Sequence, residues 1–308
     1  MAFTELKKHF AYLILLSFVL NMSIKAQATD SLPNYKSRKL FLASSTGALS
    51  AGSIAYLGHV WYSKYNTSKF HDFDDAAEWL QMDKVGHTLT NFQMANLMMK
   101  SFDWAGYSRK QSLFIGGTIG FSYMAIIEVM DGYSKGWGFS VTDMAANTLG
   151  SAIAISQHAL WKEQRFNLKF SVHQTKYAQY NPDLLGDDFG SRILKDYNGQ
   201  TYWLSVSPFA FVKSNKKLPK WLAISFGYGA DGMLGAFYNN VAVIDNEGNV
   251  TEFPRQRQYY LSLDVDLSKI KTKYKFVNAV FNAFNILKIP APTLEFQNGK
   301  TKFYYFYF

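Results

Sequence analysis

The sequence predicts an α+β protein: a bundle of about four helices over residues 29–163, then an antiparallel β-sheet or partial barrel with one helix over 164–308. Two observations predict this. Apolar segments of helical length, separated by Gly- and Ser-rich loops, fill the first half. Near residue 164 the spacing of apolar residues changes from the helical period to a period of two.

Residues 1–28 read as a secretory signal peptide. Lys7, Lys8 and His9 are its cationic start, 10–22 its apolar run, and Ala26-Gln27-Ala28 its small-residue cleavage site. Residues 40–60 carry no charge and many small side chains, so this segment could span a bilayer or lie buried in a compact bundle. The acidic cluster Asp72, Asp74, Asp75 and Glu78 reads as a solvated loop and helix start, with Asp74 or Asp75 as a cap.

Helix-like segments follow at 83–101, 110–130 and 141–162, the last capped by Ser140 or Thr142. Gly116, Gly117 and Gly120 weaken an isolated helix, which implies close packing against a neighbour. In the second half, Phe166, Leu168, Phe170 and Val172 alternate with Asn167, Lys169, Ser171 and His173. Similar runs occupy 201–212, 221–234 and 258–268, and Asn198-Gly199 carries a turn signal. Asn181-Pro182-Asp183-Leu184-Leu185-Gly186 also reads as a turn. Residues 276–287 place apolar side chains on one helical face, and Pro290 and Pro292 stop that helix.

The chain closes in Lys302-Phe303-Tyr304-Tyr305-Phe306-Tyr307-Phe308, a terminal aromatic strand like those that close bacterial outer-membrane barrels. Counted generously, the sequence holds six strands, fewer than the eight of the smallest single-chain barrels, which favours an open sheet or partial barrel.

Composition narrows the function classes. The absence of cysteine excludes disulfides, thiol catalysis and an N-terminal lipidated Cys. The net charge is +9, yet Lys and Arg are scattered with no nucleic-acid patch, so membrane lipids are the expected partner and nucleic acid is not. No Gly-x-Ser-x-Gly elbow and no phosphate-binding Gly-rich loop is present.

Chemistry concentrates in 83–150, where ionisable residues interrupt apolar helical sequence. Asp83, His87 and Asn91 share one helical stripe, with Lys84 about 100° away. Glu128 and Asp131 lie at a helix end, and Asp143 and Asn147 are one turn apart, with Gly150 on the same face. The candidate pocket is therefore Asp83, Lys84, His87, Glu128, Asp131, Asp143 and Asn147. Three readings stay open. It is a buried ion-pair network, a ligand site that could take a divalent metal on Asp83, His87, Glu128 and Asp143, or an acid–base pair. No His-Glu-x-x-His or other specific metal motif selects among them.

Asp83-Lys84-x-x-His87, with Glu128, Asp131 and Asp143-x-x-x-Asn147-x-x-Gly150 downstream, resembles the YfiM-like predicted periplasmic lipoproteins, a domain of unknown function. The same order of motifs is distantly similar to VanZ-like membrane proteins. The resemblance covers roughly 80–160, and the later Tyr180–Gly186 and 195–204 segments look like longer members from Bacteroidetes-type bacteria. It implies a Gram-negative envelope location, periplasm or outer membrane, and no established activity. The expected function is a membrane-associated envelope protein with a polar pocket between helices. The alternatives are a hydrolase or transferase on an envelope lipid or cell-wall precursor, and an outer-membrane β protein.

Overall fold

The computed structural model describes residues 34–60, 66–212, 218–241, 243–244 and 250–307; the signal-peptide segment 1–28 lies outside them. Helices occupy mostly the N-terminal half, and a six-stranded antiparallel sheet that is not closed follows them. The chain divides into two compact units, one of Ala28–Ala76 with Lys84–Gln164, the other including Ala77–Asp83 and Arg165–Phe308.

The first unit is helical. Its elements are α1 (Tyr35–Val60), α2 (Met82–Trp104, from Lys84 onward), α3 (Arg109–Gly132) and α4 (Val141–Trp161). Its apolar core includes Leu42, Phe102 and Ala105, packed on by Met98, Tyr107 and Ile119. Polar contacts tie the helices together as well. The Tyr123 hydroxyl donates to Ser53 Oγ at 2.8 Å, and His158 Nε2 lies 3.1 Å from Asp103 Oδ2. His158 is thus a partnered, buried histidine.

Gly120 belongs to a close crossing: a Cβ there would sit 2.6 Å from Met94 Cβ, so only glycine lets α3 approach α2 this closely. α3 carries one π turn, Ser112–Gly116. Among the described residues α3 is long and apolar enough to cross a membrane.

The second unit is built on β1 (Phe166–Val172), β2 (Gln200–Val206), β3 (Leu222–Asp231), β6 (Gln256–Val265), β7 (Ala291–Gln297) and β8 (Lys300–Tyr307), which pair in that order. A two-residue hairpin, β4 (Val243–Ile244) with β5 (Val250–Thr251), lies outside the main sheet. Short helices α5 (Pro182–Leu185) and α6 (Phe189–Lys195) connect β1 to β2, and α7 (Lys275–Phe284) connects β6 to β7. The Asn181–Gly186 stretch therefore closes into one helical turn, because Pro182 is preset for the first helical position. Pro292 sits at the irregular start of β7, where the register to β8 shifts and a missing N–H is tolerated.

The sheet is strongly curled. Lys169 on β1 reaches Asp264 on β6 at 2.8 Å, and Thr201 on β2 meets the Tyr307 hydroxyl of β8 at 3.2 Å. Neighbouring strands lie about 4.8 Å apart, so a flat sheet would hold β1 and β6 about 14 Å apart. The 3₁₀ turn Glu78–Gln81 belongs to this unit. Trp79, Leu80 and Gln81 all take positive φ (49°, 52° and 65°), a conformation costly for side-chain-bearing residues. The Trp79 N–H donates to Ala236 O at 2.8 Å, and the Tyr228 hydroxyl donates to Leu80 O, which holds the turn in place.

Candidate functional site

The site is a charged centre inside the helical unit. Lys84, in the first turns of α2, places its ammonium 2.5 Å from Asp75 Oδ2 and 2.7 Å from Asp143 Oδ1. Both carboxylates are buried, and the lysine is only 12% exposed. At this burial an unpaired charge would be expensive, so the three groups depend on one another.

Ser140 and Thr142 complete the pairing. Their hydroxyls donate to Asp75 Oδ1 at 2.6 and 2.7 Å, and Ser140 Oγ also accepts the Asp143 N–H at 2.9 Å. Ser140 is therefore both the N-cap of α4 and a member of the centre. Burial pushes the Asp75 carboxyl up, but its hydrogen-bonding coupling with Asp143 and the bonds it accepts from Lys84, Ser140 and Thr142 outweigh it and hold the group at about 2.

His87 stands one turn along α2. Its Nδ1 lies 3.1 Å from Asn147 Oδ1 and 3.8 Å from Glu128 Oε1, and its Nε2 lies 3.8 Å from Asp143 Oδ1. Glu128 on α3 is almost fully buried, at 2% exposed. The Asn91 amide donates to Asn147 Oδ1 at 2.5 Å. Asn91 Oδ1 and Asn147 Nδ2, both on fully buried residues, have no hydrogen-bond partner among the described residues. Exchanging O and N in both amides moves the orphaned donor and acceptor between the two residues without removing either.

Gly150 makes the approach of α2 and α4 possible, since a Cβ there would collide with the Thr88 carbonyl oxygen. The Thr88 hydroxyl bonds the Lys84 and Ala146 carbonyls at 3.0 and 3.2 Å, joining the same two helices.

Of the residues singled out by sequence, Lys84, His87, Glu128, Asp143 and Asn147 meet here. Asp131 is half-buried at the end of α3, where its carbonyl accepts the Ser134 N–H at 2.9 Å. Asp83 opens α2 within the sheet unit, and its carboxylate accepts the Tyr197 hydroxyl at 2.8 Å.

Asp75 corrects the reading of 72–78 as a solvated loop: it is 6% exposed and central to the site. The loop reaches inward because its backbone is laid along 132–139. The N–H groups of Ser68, His71 and Phe73 donate to the carbonyls of Tyr133, Gly132 and Phe139 at 2.8, 3.0 and 3.0 Å. Phe70 packs between Tyr133 and Phe139, with centroids 5.3 and 5.6 Å away. A run of aromatics between acidic residues was the available signal, and it has no period that identifies the partner strip.

Residues 72–159, which contain the whole of this centre, match the family described as "Predicted periplasmic lipoprotein (DUF2279)". The match supports an envelope location and a domain of unknown function. No curated protein and no solved structure matches the chain.

Proposed function

We propose that this protein is a membrane-associated component of the Gram-negative cell envelope, its helical unit organised around a fixed ionic centre rather than a reactive one. One observation carries the reading: the charged side chains of the centre face inward onto one another, while outward positions of the same helices are apolar. Phe114 is 70% exposed on α3, and Ile115, Ile126 and Val129 on α3 and Val141, Leu149 and Leu160 on α4 are also exposed. Helices in contact with lipid keep ionisable groups inward and paired, which is this arrangement. Lys84 gives its charge to two carboxylates, and Ser140 and Thr142 take up the further lone pairs of Asp75. The family match of residues 72–159 agrees with an envelope setting.

Carbonate extraction of membranes from cells expressing the full chain tests the reading. Retention in the pellet is the expected result; release into the supernatant would overturn it.

A ligand reading has its own support in the orphaned Asn91 and Asn147 amide atoms beside His87 and Glu128. Carboxylates in the centre number three against one ammonium and one imidazole, so a divalent cation suits the balance. On this reading His87, Glu128 and Asp143 supply ligands. Elemental analysis of purified protein and of His87→Gln decides it: stoichiometric metal in the parent and its loss in the variant support a site, and no metal in either refutes one.

A further inference from the structure

The sheet unit has its polarity reversed. A sheet in water buries its apolar face and exposes its polar one. Here the buried, concave side carries Asn167, Lys169, Ser205, Asp264, Thr293 and Glu295 beside an aromatic cluster of Trp203, Tyr260 and Tyr307. The Lys169–Asp264 pair is fully buried at 2.8 Å, Ser205 Oγ donates to Asp264 Oδ2 at 2.6 Å, and Asn167 Nδ2 donates to Asp266 Oδ2 at 3.1 Å. Lys288 closes the same interior with bonds of 2.7 Å to the Leu263 and Ile289 carbonyls.

The convex side is apolar across its whole width. Leu168, Leu204, Phe226, Leu261, Leu294 and Phe303 pair in register as one row, one residue from each strand. Phe226 is 54% and Phe303 55% exposed. A second row, Val206, Ile224 and Leu263, runs beside it.

Basic residues bound this face at both ends of β6. Arg257 stands two residues before Tyr259, and beyond Val265 the chain runs through exposed Lys271, Lys273 and Lys275 into α7; Tyr274, just before α7, and Phe276 within it are also exposed.

We infer that the convex face of this sheet seats in the acyl-chain region of an anionic lipid bilayer, with Lys271, Lys273 and Lys275 at the headgroups. Three features choose lipid over a protein partner. The apolar row curves around every strand, a shape that a fluid solvent covers and a flat surface does not. Charge is hidden inside, where it costs most in water and is required in lipid. The flanking lysines and aromatics are those of an interfacial segment on anionic lipid.

The sheet is not closed, so its free strand edge would leave backbone groups bare in hydrocarbon; the contact is a face laid into one leaflet, not a spanning barrel. The edge of β1 is itself partly closed, since the Phe170 N–H donates to Ile286 O at 2.8 Å and the Phe170 carbonyl accepts the Lys288 N–H at 2.9 Å. This inference rests on the membrane association proposed above and is independent of the ionic centre.

The cysteine-free sequence permits a direct test. Single-cysteine variants Phe226→Cys, Leu261→Cys, Phe114→Cys and Asp183→Cys of the full chain are labelled with bimane. They are then reconstituted in phosphatidylethanolamine–phosphatidylglycerol vesicles with and without brominated acyl chains. Seating about 5–10 Å below the headgroups predicts roughly twofold quenching at 226 and 261, with none at the exposed position 183 in α5. Quenching at 114 alone would overturn the sheet inference and leave membrane association standing. No quenching at any position would overturn both. Protection of 226 and 261 from a water-soluble maleimide without lipid quenching would assign the face to a protein partner, and so also overturn it.

Discussion

Replacing Lys84 by Met removes the cation that two buried carboxylates share and leaves the shape of the site nearly intact. At an effective dielectric of about 20, contacts of 2.5 and 2.7 Å each carry about 6 kcal/mol of gross attraction. Desolvation of three buried groups offsets most of that, and the net cost of breaking such a pair from one side is about 3–5 kcal/mol. That is a large share of the stability of an ordinary domain. The triple variant Asp75→Asn, Lys84→Met, Asp143→Asn removes the charges together and should recover most of the loss, to within about 1–2 kcal/mol of the parent. Urea unfolding of detergent-solubilised protein, followed by far-UV circular dichroism, reads both values. The discriminating quantity is the non-additivity between the single and triple variants. A Lys84→Met cost below about 1 kcal/mol would refute the reasoning, because a pair that weak is a solvated one. So would a triple variant less stable than Lys84→Met, since the carboxylates would then serve something other than Lys84.

Four further outcomes follow from the same geometry. The Asp75 carboxyl sits at about 2 in the folded protein, below its unfolded value. Its contribution is therefore complete above pH about 4 and disappears as pH falls through about 2, about 1 kcal/mol once solvent screening is allowed for; a stability profile over that window measures it. Gly150→Ala forces α2 and α4 apart at the Thr88 carbonyl and should cost about 1–3 kcal/mol by thermal unfolding, whereas Gly47→Ala, with open space around it, should not destabilise. Lys169→Met strands Asp264 in the sheet interior and should cost about 3–5 kcal/mol, with Lys169→Met/Asp264→Leu restoring much of it. Reversing Lys271, Lys273 and Lys275 to Glu should weaken sedimentation with anionic vesicles by at least about 1 kcal/mol per residue and remove most of its salt dependence.

The two periods in the sequence were enough to place the long helices and most strands, but not the short helices α5 and α6, which are too brief to show a period. The helical spacing of Asp143 and Asn147, with Ser140 before them, located α4 and its cap, and the alternation from Phe166 to Val172 located β1. Period alone does not say which side of a strand is inside. Asn167, Lys169 and Ser171 alternate with apolar neighbours in any sheet, and only the contact of Lys169 with Asp264, 95 residues later, assigns the polar side to the interior. Asp75 escaped for a related reason. Its partners Ser140 and Thr142 are 65 and 67 residues away, and nothing local distinguishes it from Asp72 and Asp74.

The strip from Ser68 to Asp75 acts as a ruler. Loops ordinarily accept insertions and deletions more freely than helices do. Here Ser68, His71 and Phe73 are pinned by backbone bonds to fixed positions on the facing chain, and Asp75 lies just two residues past the last pin. One residue added or lost between Phe73 and Asp75 would carry the carboxylate away from Lys84 while leaving every helix unchanged. Among homologues, the length of this stretch should therefore vary less than its residues do, and chains that alter it should lack the Lys84 pairing altogether.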